Sequence, residues 1–150
     1  MANEVANPEV AAALAAACAG LDRLLVLDPS PVDIDDARAL IERVEGLGRR
    51  IGAAQVRLQS RIQASGVHRQ ELFASAKVLV RHVGRLSDAE AKRRELVRRA
   101  LEDLPAVAAS FAAGRIGWCQ VSVVARVWAN PRVRAALIDQ DAAAARLAER

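Results

Sequence analysis

The residues best placed to do chemistry in this sequence are arginines. Arg43, Arg50 and Arg57 recur every seven positions, and Arg61 follows one helical turn after Arg57. Arg49, Arg50, Arg57, Arg61, Arg69, Lys77, Arg81 and Arg85 stand against a single acid, Glu71, giving this stretch a net charge of +7. What such a run offers is electrostatic: guanidinium groups pair with phosphate oxygens and release counterions from DNA. Arg50, Arg57, Arg61, Arg81 and Arg85 are therefore candidate contacts to the phosphates of double-stranded DNA. The same flank has a second reading, because arginines beside a hydrophobic seam also pair with acids of a partner helix. The N-terminal third offers Asp22, Asp28, Asp33, Asp35 and Asp36 for that purpose, and a second copy of the chain would make a homo-oligomer.

Catalytic arrangements are not found. His68 and His82 have no acid or cysteine at metal-ligand spacing, so structural roles are expected for both. No G-x-S-x-G, phosphate-binding glycine loop or H-E-x-x-H occurs. Gly114-Arg115-Ile116-Gly117 has two glycines but follows a helical pattern, not a strand. Cys18 and Cys119 are far apart in apolar segments and are expected to be small buried hydrophobes. The expectation is a chain without enzymatic activity, catalytic residues, metal, cofactor or small-molecule substrate.

The elements that must carry these residues read as helices. Aromatics are 3% of the chain and hydrophobic residues 53%, so the core is expected from Ala, Leu, Val and Ile, which favours packed helices over a sheet. Pro8 opens a first helix that Asp28-Pro29-Ser30-Pro31 breaks. Leu40, Val44, Leu47, Ile51, Ala54 and Leu58, spaced 4, 3, 4, 3 and 4, form the heptad seam of a long second helix reaching Ile62. Gly46, Gly48 and Gly52 either weaken it or mark close helix contact. A third helix from about Gln70 to Val83 ends at Gly84. Ser87-Asp88-Ala89-Glu90 then reads as a capping box that starts a fourth. Pro105 opens a fifth helix, Trp118 to Trp128 forms a sixth, and a last one follows Asn130-Pro131. The fold class is all-α, a bundle of about six or seven helices in one domain, 1–150.

The stretch from Phe73 to Asp103 has the form of a helix-turn-helix. Its second helix carries five basic and five acidic residues. Asp88–Lys92, Glu90–Arg94, Glu95–Arg99 and Arg98–Glu102 all fall four apart, the pattern of a solvated, salt-bridged face. Arg93 falls on the apolar side and must snorkel or pair internally. Trp118 and Trp128 read as core or interface anchors.

Charge is divided along the chain. Met1–Gly48 holds three basic and nine acidic residues, net −6, and Arg49–Arg150 holds 19 and nine, net +10. The acidic segment covers 1–36. The acidic start lacks the positive charge of a secretion signal, and the apolar run Val10–Ala19 is too short to span a bilayer, so a cytoplasmic location with no membrane partner is expected.

Several short motifs occur in order: Leu86-Ser87-Asp88-Ala89-Glu90-Ala91-Lys92-Arg93-Arg94, then Leu104-Pro105-Ala106-Val107-Ala108, then Phe111-Ala112-Ala113-Gly114-Arg115-Ile116-Gly117-Trp118 and Gln120. Their order and spacing resemble domain of unknown function 222, the 13E12 repeat family of actinobacteria, over about Leu40 to Ala129. In that family such a helical region commonly precedes an HNH nuclease module. The resemblance therefore implies a role beside DNA. It does not imply nuclease activity here, since no histidine follows His82. The chain is then expected to be a non-catalytic, DNA-associated helical module. The alternatives are an oligomerisation module using the Leu40–Ile62 seam, or a truncated copy without independent function.

Overall fold

A computed structural model describes residues 7–150; the first six residues of the acidic segment 1–36 lie outside them. The described residues form nine helices and no strand, so the all-α expectation holds. The chain divides into two compact units, 1–40 and 41–150.

In the first unit, α1 (Pro8–Leu25) starts where Pro8 needs no N–H and Asn7 Oδ1 accepts from Glu9 and Val10 N–H, at 3.0 and 3.1 Å. No residue of α1 is buried. Cys18 is exposed for that reason, against expectation. The Asp28 carboxylate accepts from the backbone and hydroxyl of Ser30, which closes the turn and lowers its pKa. Asp33 accepts from Asp36 N–H at 2.9 Å and caps α2 (Ile34–Ser65).

The second unit is built around α5. The remaining helices are α3 (Val67–Gln70), α4 (Ala76–Val83), α5 (Asp88–Asp103), α6 (Pro105–Ala112), α7 (Trp118–Ala129), α8 (Pro131–Asp139) and α9 (Asp141–Ala148). α5 packs on α7, α4 and α6, and α9 closes over α6. Val97, Leu104, Val107, Ile116 and Val121 are fully buried around Phe111, so the core is aliphatic as expected, with one aromatic at its centre. Trp128 joins it at 4% exposure.

There are more helices than the sequence suggested, for two local reasons. The expected helix 70–83 is split because Leu72 adopts a left-handed conformation, φ 61°. Phe73 and Leu72 N–H then bond back to the carbonyls of His68 and Arg69 and end α3. Ser75 restarts the chain by accepting from Val78 N–H. The last expected helix is split between Asp139 and Asp141, where the buried Asp141 turns its carboxylate onto the start of α6. It accepts from Ala106 and Val107 N–H at 2.5 and 3.1 Å.

The Gly114–Gly117 loop seats α2. Gly114 has φ +75°, and a β-carbon there would lie 3.0 Å from the Gly46 carbonyl. Its own carbonyl accepts from Arg49 Nε at 2.6 Å. Of the three glycines in α2, Gly52 is the tight contact: a β-carbon there would meet the Trp118 indole nitrogen at 2.5 Å, while at Gly48 it would meet nothing within 4 Å.

Candidate nucleic-acid interface

α2 turns two opposite faces to different surroundings. Gly52, Ala53, Val56 and Gln59 are buried. The seam lies on the other side, and Leu40, Val44, Leu47, Ile51 and Leu58 are 39 to 63% exposed. Between these faces runs the arginine flank. Arg50, Arg57 and Arg61 are all exposed. Arg50 and Arg57 stand about 10 Å apart along the axis, and Arg61 about 6 Å further on, at 1.5 Å per residue. Among the described residues of their unit, these three and Arg85 make no ion pair and no side-chain hydrogen bond.

Arg57 also edges a cleft of about 300 Å³ between α2, α5 and α6. Its floor is Val56, Leu101 and Phe111, and Ser60, Arg98 and Glu102 provide polar groups.

Arg81 and Arg85 form a separate group at the C-terminal end of α4. Arg81 is not free, lying 3.6 Å from the Asp88 carboxylate, which Lys92 also holds at 2.7 Å. The hydrogen bond from Lys92, with the charges of Lys77 and Arg81 beside it, keeps the Asp88 pKa below its ordinary value. Arg85 occupies the left-handed position that ends α4, φ 49°. Leu86 N–H bonds to the Arg81 carbonyl at 3.0 Å and Arg85 N–H to the His82 carbonyl at 3.2 Å. Glycine commonly fills that position, because a β-carbon is strained there.

The helix-turn-helix has the expected form, but α5 is not exposed as a reading helix. Its middle is packed inside the unit: Ala91, Val97, Arg98 and Ala100 are buried. Its basic residues are engaged. Arg93 and Arg94 both pair with Glu90, at 2.7 Å each, and both lie over the Trp118 ring, 5.3 and 5.2 Å from its centre. Burial pushes the Glu90 pKa up, but the hydrogen bonds from these two arginines outweigh it and hold it below the ordinary value. Arg99 lies over Trp128.

The expected Glu95–Arg99 pair is replaced. Glu95 binds Arg98 through both oxygens and accepts from Gln59 of α2 at 3.0 Å. Arg98 also donates to Glu102 and is only 6% exposed. Its pKa is raised, first by the bond to Glu95. Around Glu95 and Arg98 this face of α5 is therefore covered by α2, while Asp88, Lys92 and Glu102 toward its ends remain more than half exposed. Sequence spacing within α5 could not show a partner 36 residues away.

The short motifs turn out to hold the fold together. Ser87 caps α5 by accepting from Glu90 N–H at 3.1 Å, although the Glu90 side chain faces arginines instead of completing the box. Pro105 starts α6, Gly114 ends it, Ile116 is fully buried, and Gln120 Oε1 accepts from Gly117 N–H at 3.1 Å. Trp128 Nε1 donates to Asp103 at 2.9 Å, and Arg134 stacks 4.3 Å from its ring centre.

His68 is buried with Nδ1 unbonded, and the exposed His82 stacks on Phe73 at 5.4 Å. Cys119 is exposed, not buried as expected, because α7 turns Val121, Ala125 and Trp128 inward. Among the described residues, no group of three His, Cys, Asp or Glu side chains could hold a metal ion. No helix among them is long and apolar enough to cross a membrane.

No curated protein and no solved structure matches the chain. A family model does match, over residues 38–150, which takes in the whole second unit. It extends the motif resemblance past Ala129 through α8 and α9. By that match, the chain belongs to the family described as Domain of unknown function (DUF222).

Proposed function

We propose that the second unit is a non-catalytic module that binds double-stranded DNA by its phosphates. Arg50, Arg57, Arg61 and Arg85 are the main contacts, and Arg81 is a weaker one. The observation that carries this reading is a division among the basic side chains. Those of α5 are used up by Asp88, Glu90, Glu95, Glu102 and the two tryptophans. The exposed arginines of α2 and the α4 turn are not engaged within the unit. A guanidinium left unpaired on a rigid helix is ready to meet a phosphate without breaking an internal bond. The strained conformation of Arg85 adds to this, since backbone strain tends to persist where a side chain has a role. The resemblance to 13E12 repeat proteins, where such a region accompanies an HNH nuclease module, agrees with a role beside DNA in the cytoplasm.

The contacts invoked reach the backbone only, so binding is expected to be insensitive to sequence and steeply dependent on salt. Fluorescence anisotropy with a labelled duplex across a salt series is the test. Absent binding, or binding that does not weaken with salt, would rule the proposal out.

A second reading is favoured by one observation. The Leu40–Ile62 seam presents exposed leucine, isoleucine and valine on the side of α2 away from the core, which suits an oligomerisation module.

A further inference from the structure

The seam reading leaves open what covers the seam. Resting on that reading and deepening it, we propose that the occupant is a second copy of this chain, whose α2 lies parallel and in register with the first. α2 commits one face to its own core. Gly52, Ala53, Val56 and Gln59 are buried and Arg49 is tied to Gly114, so these positions are spent. Val44, Leu47, Ile51 and Leu58 lie opposite, at 44, 48, 57 and 63% exposure. Two copies can therefore meet along this line with their two cores on the outside.

The side chains in the seam choose the direction. In heptad terms Val44 and Ile51 occupy the a row, and Leu40 and Leu47 the d row. β-Branched residues at a with leucine at d favour two parallel strands. Leu58 at a and Ala54 at d depart from this at the C-terminal end.

The flanks point the same way. Arg43, Arg50 and Arg57 all fall on the g flank, and Ile41, Gly48, Gln55 and Ile62 on the e flank. In a parallel pair g faces e of the partner, so each arginine meets an uncharged residue. In an antiparallel pair g faces g, and three arginines of one copy face three of the other without an acid between them. The parallel arrangement also leaves Arg43, Arg50 and Arg57 of both copies at the rim and open to phosphate, while Arg61 follows the d row just past the paired stretch that ends at Leu58.

Disulfide trapping tests the direction, and light scattering tests the pairing. Cys18→Ala and Cys119→Ala remove the two exposed native thiols. Val44→Cys or Ala54→Cys, which would face each other in an antiparallel pair, is then introduced singly into the full chain, and mild oxidation is followed by a non-reducing gel. Covalent dimers from each variant alone are the expected result, since only the parallel register brings both positions against their own copies. A dimer that cross-links only when the two variants are mixed would overturn the parallel arrangement while leaving the seam reading standing. A monomer at the highest soluble concentration would overturn both. As a control that spares the fold, Ile51→Glu is expected to weaken the dimer at least roughly tenfold with helix content unchanged, because it places a charge in the seam; an unchanged dimer would also overturn the proposal.

Discussion

Trp118 lies against the bare backbone of Gly52, its indole nitrogen 2.5 Å from where a β-carbon on Gly52 would stand. Phe111 meets the same indole edge-on, 5.4 Å between ring centres, and would itself stand 3.1 Å from that carbon. Neither ring can withdraw without opening the core. Gly52→Ala should therefore destabilise the protein by about 1–3 kcal/mol through overpacking. Gly48 sits on the same helix with open space around it. Gly48→Ala should stabilise by about 0.5–1 kcal/mol through helix propensity alone. Urea midpoints of the two variants, compared with the parent, should move in opposite directions.

The ends of α4 and α6 make a second matched pair. Both helices close with the same two backbone bonds, but the left-handed position holds Arg85 in one and Gly114 in the other. Arg85→Gly should relieve strain and stabilise by about 1 kcal/mol. Gly114→Ala should cost about 1–2 kcal/mol, since the added carbon is strained in φ and also presses on the Gly46 carbonyl. Thermal melts should show the first raising Tm and the second lowering it.

These contrasts show what the sequence made readable and what it hid. Helices with local start and stop signals were legible: Pro8, Ser87, Pro105 and Asn130-Pro131 all start helices as expected. The Leu72 stop was hidden because leucine rarely takes a positive φ. So was the break at Asp141, whose carboxylate serves a helix 34 and 35 residues earlier. The five candidate arginines stand out by local charge, but charge does not sort them. That Arg49 is structural while Arg50 is free depends on which flank meets the Gly114 loop, a matter of tertiary packing. The burial of Arg98 was hidden for the same reason, because Gln59 and the α2 face cover it.

Asp141 itself supports a test of that hidden cap. It is 9% exposed, and it bonds the first two free N–H groups of α6 from across the unit. Asp141→Ala should cost about 1–2 kcal/mol by uncapping the helix. Asp141→Asn, which keeps an acceptor, should recover part of that in the same denaturation assay.

Acid should weaken the unit through identifiable carboxylates. Glu149 accepts from the Ser110 hydroxyl and from Arg115, in that order of effect, and its pKa is lowered from the ordinary 4.5. Glu90 is lowered as well, and Asp88 falls below 3.8. A carboxylate whose folded pKa is depressed contributes stability above its unfolded value and loses it as pH falls through the folded one. Stability should thus decline progressively once pH drops below about 4.5. Glu149→Gln should make that decline shallower while lowering stability at neutral pH, which melts between about pH 3 and 7 can check.

The neighbours Arg49 and Arg50 separate a folding role from a binding role. Arg49 gives its Nε to the Gly114 carbonyl, and its stem packs 3.1 Å from where a β-carbon on Gly117 would be. Arg49→Gln should cost about 1–2 kcal/mol of stability by removing a charged donor from a partly buried carbonyl. The salt dependence of DNA binding should stay as in the parent. Arg50→Gln, Arg57→Gln and Arg61→Gln should do the reverse: melting little changed, affinity lower, and the slope of log K against log salt reduced by about 0.9 for each phosphate that is no longer neutralised. Arg81→Gln should change the slope less, since Asp88 already draws on that charge. If Arg50, Arg57 and Arg61 could all be neutralised without changing the slope, these free guanidinium groups would not be what holds DNA, whatever else the surface binds.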